Sequence, residues 1–364
     1  MDPRNDNANF WVSLHVRPMG DSCNLACRYC EFGKVSLEQR MSDEVLRSVV
    51  RKLLEHNGGS GVFCWHGGEP TLAGVDFFER AVQYQREFAP DFSKVINQIQ
   101  TNGVGLSEEL VTLFARERFG VGLSLDGPET LHNLTRVNKG NAGSYQQVVA
   151  GLQLLRSHGI DPAVIATVSR DALPYAEATF QHLVNLGFKN IHYSVVFDSK
   201  PDGTLAVTND EWYGYLRNVF HAWYEMADET IQVRELNEVI SWIVGEPDPC
   251  CTSLGTCAHW MTVNPDGNVS PCEVMGKTLR YGNILTDTFA SIIASVGHRE
   301  LVKLAAFRPS ICQSCEFLSV CNNGCTNMRT STSGSQNPRG LYAYCHERQQ
   351  LFREIVNVFE EGTS

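Results

Sequence analysis

Phe10-Trp11-Val12-Ser13-Leu14-His15-Val16-Arg17 is an apolar-rich run that leads, after five intervening residues, into Cys23-Asn24-Leu25-Ala26-Cys27-Arg28-Tyr29-Cys30. The first stretch reads as a strand and the second as the loop that follows it, with a C-x3-C-x2-C spacing that brings three thiols together in one short turn. Outward from this pair the same alternation of short apolar and longer amphipathic runs repeats. Strands are predicted at Phe10–Arg17, Gly61–His66, Val95–Gln100, Phe119–Leu125, Ile160–Val168 and Asn190–Val196. Helical spacing marks Ser42–Glu55, Val75–Phe88, Glu108–Arg116, Tyr145–His158 and Ala172–Leu186 between them. Six βα units with right-handed crossovers predict an α/β fold, a partial (β/α)6 TIM-like barrel open at one side, whose chemistry lies at the C-terminal ends of the strands.

After Asn209 the pattern changes. Helices are predicted at Glu211–Met226 and Leu236–Val244, then a linker at Glu246-Pro247-Asp248-Pro249, then a cysteine-dominated stretch to Cys345. The expected organisation is a barrel over 1–208, a helical bridge and linker over 209–250, a cysteine-rich domain over 251–350, and a helix end and tail over 351–364.

The 364 residues are 43% hydrophobic, which is enough for a full-sized core plus an accessory module. A net charge of −11 without any Lys/Arg-rich run argues against nucleic acid as a partner. No signal peptide or membrane-length apolar window is visible, so no membrane partner is expected and the cytoplasm is the expected compartment. Thiols there stay reduced, and the thirteen cysteines therefore read as metal ligands rather than disulfides.

Three cysteines are the informative number in Cys23, Cys27 and Cys30. A 4Fe-4S cluster held by three thiolates keeps one iron open to a small molecule. A structural zinc site is the alternative, but it needs a fourth ligand. At the next strand end, His66-Gly67-Gly68-Glu69-Pro70-Thr71 lets backbone approach a ligand closely and offers a carboxylate to an ammonium group. Further strand ends carry Thr101-Asn102-Gly103 and Ser124-Leu125-Asp126-Gly127-Pro128, followed by Arg136. These residues suit hydrogen bonds to a ribose or a carboxylate, and they are equally good turn formers. In the C-terminal part Cys251, Cys257, Cys272, Cys312, Cys315, Cys321, Cys325 and Cys345 make eight thiols, enough for two fully ligated clusters. Cys64, in Val62-Phe63-Cys64-Trp65, reads as a buried small hydrophobe, and Cys250 is an alternative ligand to its neighbour Cys251.

The triad, with the aromatic Tyr29 before its third cysteine, and the ordered strand-end segments resemble the radical S-adenosylmethionine (SAM) superfamily. The C-terminal spacing, including Gly267 ahead of Cys272 and the run Cys312-x2-Cys315-x5-Cys321-x3-Cys325, resembles the SPASM domain. These resemblances imply three 4Fe-4S clusters, one SAM-binding and two auxiliary, with SAM cleaved reductively to a 5'-deoxyadenosyl radical. They imply SAM contacts at Tyr29, Gly67, Gly68, Glu69, Asn102, Ser124 and Arg136. They also imply one auxiliary cluster on Cys251, Cys257, Cys272 and Cys325, and another on Cys312, Cys315, Cys321 and Cys345.

The subfamily most similar in order and spacing is that of anaerobic sulfatase-maturing enzymes, which convert Cys or Ser of a protein to formylglycine. Two positions depart from its pattern: Trp65-His66 stands where that subfamily has an aromatic and Gln, and Glu273 stands where it has the Asp proposed as base. Glu273 keeps a carboxylate able to take a proton, while His66 and Glu273 also fit plain packed or exposed polar groups. On these departures the expected reaction is maturation of a ribosomally made peptide, with hydrogen abstraction at Cβ and formation of a crosslink such as a cyclophane; formylglycine formation is the alternative. The implied partners are a peptide or protein substrate and an external flavodoxin- or ferredoxin-type electron donor. Only 22 residues precede Cys23, which leaves no room for a fused leader-binding domain, so the substrate is expected on the barrel, the auxiliary module or a separate protein. The aromatics Trp212, Tyr213, Tyr215 and Trp223 suit either a peptide groove or a helix core.

Overall fold

The computed structural model describes residues 10–30, 39–196, 204–246, 251, 255–272, 275, 279–330, 337 and 339–361. Strands β1 (Ser13–Val16), β2 (Gly61–Trp65), β3 (Val95–Thr101), β4 (Gly120–Ser124), β5 (Ala163–Val168) and β6 (Asn190–Val195) pair in chain order. All five of these ladders are parallel. Helices α1 (Asp43–His56), α2 (Val75–Phe88), α3 (Glu108–Arg116), α4 (Glu129–Thr135), α5 (Tyr145–Ser157) and α6 (Ala176–Asn185) connect them. The predicted α/β partial barrel is therefore present.

Its departures from expectation have local causes. Phe10–Val12 is not strand, because Asn57 at the end of α1 takes over the ladder role: its side chain accepts from Val12 N–H and donates to Val12 O. The helix expected from Ala172 begins as a 3-10 turn over Arg170–Tyr175, since Pro174 has no N–H to give an α-helical bond; α6 starts after it. Helix α4, unforeseen in the sequence, follows Gly127-Pro128.

The sheet is also wider than six strands. β7 (Gln232–Val233) adds to β6 between helices α7 (Asn209–Met226) and α8 (Arg234–Ile243). On the opposite edge β8 (Trp260–Val263), from the cysteine-rich part, lies parallel to β1, and β9 (Asn268–Ser270) and β10 (Gly282–Asn283) continue antiparallel. One ten-stranded sheet thus runs through both parts of the chain.

Strand periodicity divides this sheet sharply into two faces. Leu14, Phe63, Trp65, Ile99, Leu123, Val164 and Ile191 are buried in the main core beneath the helices. The alternate residues His15, Cys64, Gln98, Gln100, Ser124 and His192 stay partly accessible on the inner face, in a row fixed by the register His15↔Cys64↔Gln98. Cys64 is accordingly half-buried on this inner face and not the buried hydrophobe expected. A parallel sheet is normally apolar on both faces; here the inner face mixes these polar groups with Val62, Ile96, Ala163 and Ile165. Among the described residues no helix is long and apolar enough to cross a membrane.

Under the helices one polar group is buried by design. Asn97 accepts from Trp65 Nε1 (2.9 Å) and Gln85 Nε2 (2.9 Å), and donates to Gln85 Oε1 (2.8 Å). All three residues are at most 4% exposed. Asn97→Leu orphans these donors and the Gln85 carbonyl, a loss of roughly 2–4 kcal/mol. Thermal denaturation should show a melting temperature lower by several degrees, with cluster content at low temperature unchanged.

Candidate active site

The triad loop has no regular structure of its own, and backbone bonds from two neighbouring segments place it. On one side Gly68 N–H donates to Gly20 O and Glu69 N–H to Ser22 O, both at 2.8 Å, clamping the Gly-Gly-Glu turn to the residues just before Cys23. A Cβ on Gly68 would sit 2.1 Å from Ser22 O, so only glycine permits this approach. On the other side Ala26 N–H donates to Val137 O and Arg28 N–H to Thr135 O, again at 2.8 Å. Asn102 completes the frame: its side chain donates to Asn24 Oδ1 at 2.7 Å and lies 3.6 Å from Cys23 Sγ.

Leu25, Tyr29 and Val196 pack with Cys27 as a small apolar cluster, with Cys23 and Cys30 against it. Burial above all pushes the Cys23 thiol up to about 11 and Cys27 to about 12; Arg136 opposes the rise at Cys27 and Cys30 contributes to both, so the three thiols lie within electrostatic range of one another. Thiolates in so dry a pocket need a positive partner. An iron–sulfur cluster would supply it, and an all-sulfur donor set is the ligand chemistry such a cluster takes.

Glu69 is 1% exposed. Its Oε1 accepts from Thr71 N–H (3.1 Å), Thr71 Oγ1 (2.7 Å) and Thr101 Oγ1 (2.8 Å), and Oε2 accepts from Asn102 N–H (2.8 Å). Burial raises its proton affinity and these bonds oppose the rise. The carboxylate ties the ends of β2 and β3 together and keeps room for one further donor at Oε2.

Arg136 sits over the Tyr29 ring at 5.5 Å and pairs with Asp126, Nε to Oδ2 2.8 Å, both side chains being under a tenth exposed. Asp126 also accepts from Tyr29 OH (2.8 Å) and Thr167 N–H (2.8 Å). Burial alone would weaken the Arg136 charge; Asp126, Tyr29 and Cys27 outweigh it and hold the guanidinium charged. His132, lowered to about 4 by burial, stays neutral and accepts from Asp126 N–H at 3.2 Å. Asp126 is thus the hub of this wall, although its sequence context reads only as turn chemistry. Ser124 Oγ accepts from Gln100 Nε2 at 2.9 Å on the inner face. His66 stands at the end of β2 with its ring stacked on His15, centroids 5.9 Å apart. Glu273, the expected base, lies outside the described residues, as does Cys250.

In the C-terminal part the cysteines separate into two groups. Cys257 is raised by Cys272, by burial and by Cys325, and Cys325 is raised to about 11 by burial and Cys272, which places these three together. Cys251 is half-buried beside them in the chain, its carbonyl accepting from Thr256 N–H. Cys312, Cys315, Cys321 and Cys345 line one cavity. Arg329, 1% exposed, donates to Asn323 O and Leu304 O; burial lowers it to about 10, and Cys257, Cys325 and Cys312 are the nearby groups that favour its charge. A buried cation among these thiols suits ionised, cluster-bound sulfur.

A second cavity, of about 250 Å3, opens between β6, α7, α8 and the C-terminal part, and reaches Cys325. Trp212 and Tyr213 line it, whereas Tyr215 and Trp223 pack into the core.

Residues 18–186 match the Radical SAM superfamily, and residues 250–316 match the SPASM iron-sulfur cluster-binding domain. The chain is a radical SAM enzyme with a SPASM domain. Its cofactors are accordingly SAM and 4Fe-4S clusters, one SAM-binding and two auxiliary. This radical SAM enzyme is 27% identical to the cysteine-type anaerobic sulfatase-maturating enzyme of Clostridium perfringens, over 95% of this chain and 98% of the relative. It is 25% identical to the serine-type enzyme of Klebsiella aerogenes, over 92% of this chain and 84% of that one. Its fold superposes on native anSMEcpe with bound AdoMet and Kp18Cys peptide with a TM-score of 0.87, at 27% identity, covering 96% of this chain and 99% of that chain.

The Gly68 contact offers a direct check. Gly68→Ala should push the Ser22 carbonyl away and loosen the loop ahead of Cys23. Iron analysis should then show a loss of up to about four irons per chain, one cluster's worth, while the melting temperature moves little.

Proposed function

We propose that this radical SAM enzyme is a sulfatase maturase, converting a Cys or Ser of a peptide or protein substrate to formylglycine. The observation that carries the reading is similarity along nearly the whole chain to cysteine-type and serine-type sulfatase maturases, together with the fold match to a peptide-bound member. The sequence reading favoured a peptide crosslink on two departures, His66 and Glu273. Trp65 keeps the aromatic of the pattern and is buried on the outer face of the sheet against Phe77 and Phe78. His66 and the Glu273 substitution remain, and a carboxylate at 273 serves formylglycine formation as well as crosslinking.

In this proposal Cys23, Cys27 and Cys30 hold the SAM-binding cluster. When bound, that cluster and SAM supply the 5'-deoxyadenosyl radical that takes a hydrogen atom from the substrate Cβ. Gly67, Gly68 and the open position on Glu69 Oε2 receive the SAM amine. Ser124, Asn102 and Arg136 contact its ribose and carboxylate, with Asp126 orienting Arg136 and Tyr29 closing the pocket wall. Glu273 takes the proton that the substrate radical loses while its remaining electron passes to an auxiliary cluster; from Ser this leaves the aldehyde directly, and from Cys a thioaldehyde that takes up water and releases sulfide. Cys251, Cys257, Cys272 and Cys325 hold the first auxiliary cluster and Cys312, Cys315, Cys321 and Cys345 the second, within a barrel (1–208), bridge (209–250), SPASM (251–350) and tail (351–364) organisation. The partly polar inner face of the sheet and the cavity lined by Trp212 and Tyr213 support an extended peptide as substrate. A flavodoxin- or ferredoxin-type protein supplies electrons, in the cytoplasm.

The test is an anaerobic assay of reconstituted, dithionite-reduced protein with SAM and a Cys-containing sulfatase peptide. Expected are 5'-deoxyadenosine and a peptide aldehyde that a hydrazine traps, both absent from the Cys23→Ala/Cys27→Ala/Cys30→Ala variant. A peptide that loses two hydrogens, keeps its sulfur and gives no trappable aldehyde would return the assignment to crosslinking.

A further inference from the structure

The C-terminal helix, Cys345–Glu361, begins on a cysteine and carries two polar residues one turn further on, at the spacing that shares a helix face. Both reach cysteine sulfur: Gln349 Nε2 lies 3.3 Å from Cys345 Sγ, and Arg348 Nη1 lies 3.9 Å from Cys321 Sγ. Arg348 and Gln349 also form part of the wall of the cavity that Cys312, Cys315, Cys321 and Cys345 line. The Arg348 side chain is only 11% exposed and is ion-paired through Nη2 to Glu238 of α8, itself 13% exposed. The rings of Tyr342 and Phe352 hold the guanidinium from 5.5 and 5.0 Å. A permanent cation is thus fixed between one carboxylate and one sulfur, in surroundings that screen neither charge well.

We propose that the Arg348–Glu238 pair sets the reduction potential of the auxiliary cluster on Cys312, Cys315, Cys321 and Cys345. The inference rests on that cluster assignment and goes beyond it. Charge near a cluster and hydrogen bonds to its sulfurs are two of the levers that set its potential. Arg348 applies both, stabilising the more negative, reduced state and raising the potential. Glu238 offsets part of that charge while holding the guanidinium in place. Arg348 is a positioning residue for charge and touches no substrate. The two members of the pair must therefore act in opposite directions, which a role in folding alone does not require.

The experiment is an EPR-monitored potentiometric titration of full-length, reconstituted protein in the Cys23→Ala/Cys27→Ala/Cys30→Ala background, where only the auxiliary clusters remain. Arg348→Gln is expected to move one of the two midpoints to a more negative value. Glu238→Gln is expected to move the same midpoint to a more positive value, and the other midpoint moves less in both. No shift, or shifts of the same sign in both variants, overturns the proposal. Should Arg348→Gln lose a cluster, Glu238→Gln alone decides: a positive shift supports the proposal and its absence refutes it. Iron and sulfide counts on the background protein test the parent assignment separately, since far fewer than about eight irons per chain would refute the two-cluster reading and this inference with it.

Discussion

The bond from Glu69 N–H to Ser22 O, made possible because Gly68 has no Cβ, is the constraint from which the site is built. A cluster binds only where three thiols arrive together, and a loop without secondary structure loses that arrangement to conformational entropy unless something fixes it. Here backbone groups fix it from both flanks, one from the turn after β2 and one from the segment after α4. Backbone bonds suit the task better than side chains, because they carry no rotamer freedom and hold the strand ends and the loop to one geometry.

Charge is the second constraint. Arg136, Asp126, Glu69 and Arg329 are all nearly buried, and a buried ion costs several kcal/mol unless it is paired or fully hydrogen-bonded. Each is compensated in a manner that serves the site. Asp126 holds Arg136 and Tyr29 against the triad, and Glu69 spends its lone pairs on the strand ends that frame the same pocket. Arg329 lies among thiols of both C-terminal groups, where ionised sulfur supplies the opposing charge. Preorganisation and charge compensation are the same set of contacts.

The long helices up to Ile243 and the six main strands were legible because burial imposes a period of 3.6 or 2 on the sequence, and the cysteines because their spacing is local. What escaped was non-local or a matter of parity. β8 pairs with β1 across some 250 residues of chain, as Ser13↔Trp260 shows, and no local pattern encodes that partnership. Asp126 looked like turn chemistry since its partners, Arg136 and Thr167, lie on other elements. Cys64 was read as a buried hydrophobe, yet strand alternation puts Phe63 and Trp65 on the helix-covered face and leaves Cys64 and His66 to the other side. That parity was available in Val62-Phe63-Cys64-Trp65 itself.

The shared sheet also decides how the two cysteine-bearing parts of the enzyme are held. A fixed separation between the triad and the C-terminal cysteines is something that a linker alone does not give. Here β8 is hydrogen-bonded along β1, Arg17 N–H donates to Val263 O at 3.0 Å, and Arg17 Nη1 donates to Asn264 Oδ1 at 2.9 Å, all within a few residues of Cys23. On the far side of α1, Lys52 Nζ donates to Ile284 O (2.6 Å) and Asp287 O (2.8 Å). The SPASM hairpin is therefore part of the barrel's own sheet, and it holds Cys272, just beyond β9, at a distance from the triad set by strand spacing. Backbone ladders along β1, β8 and β9 define that distance.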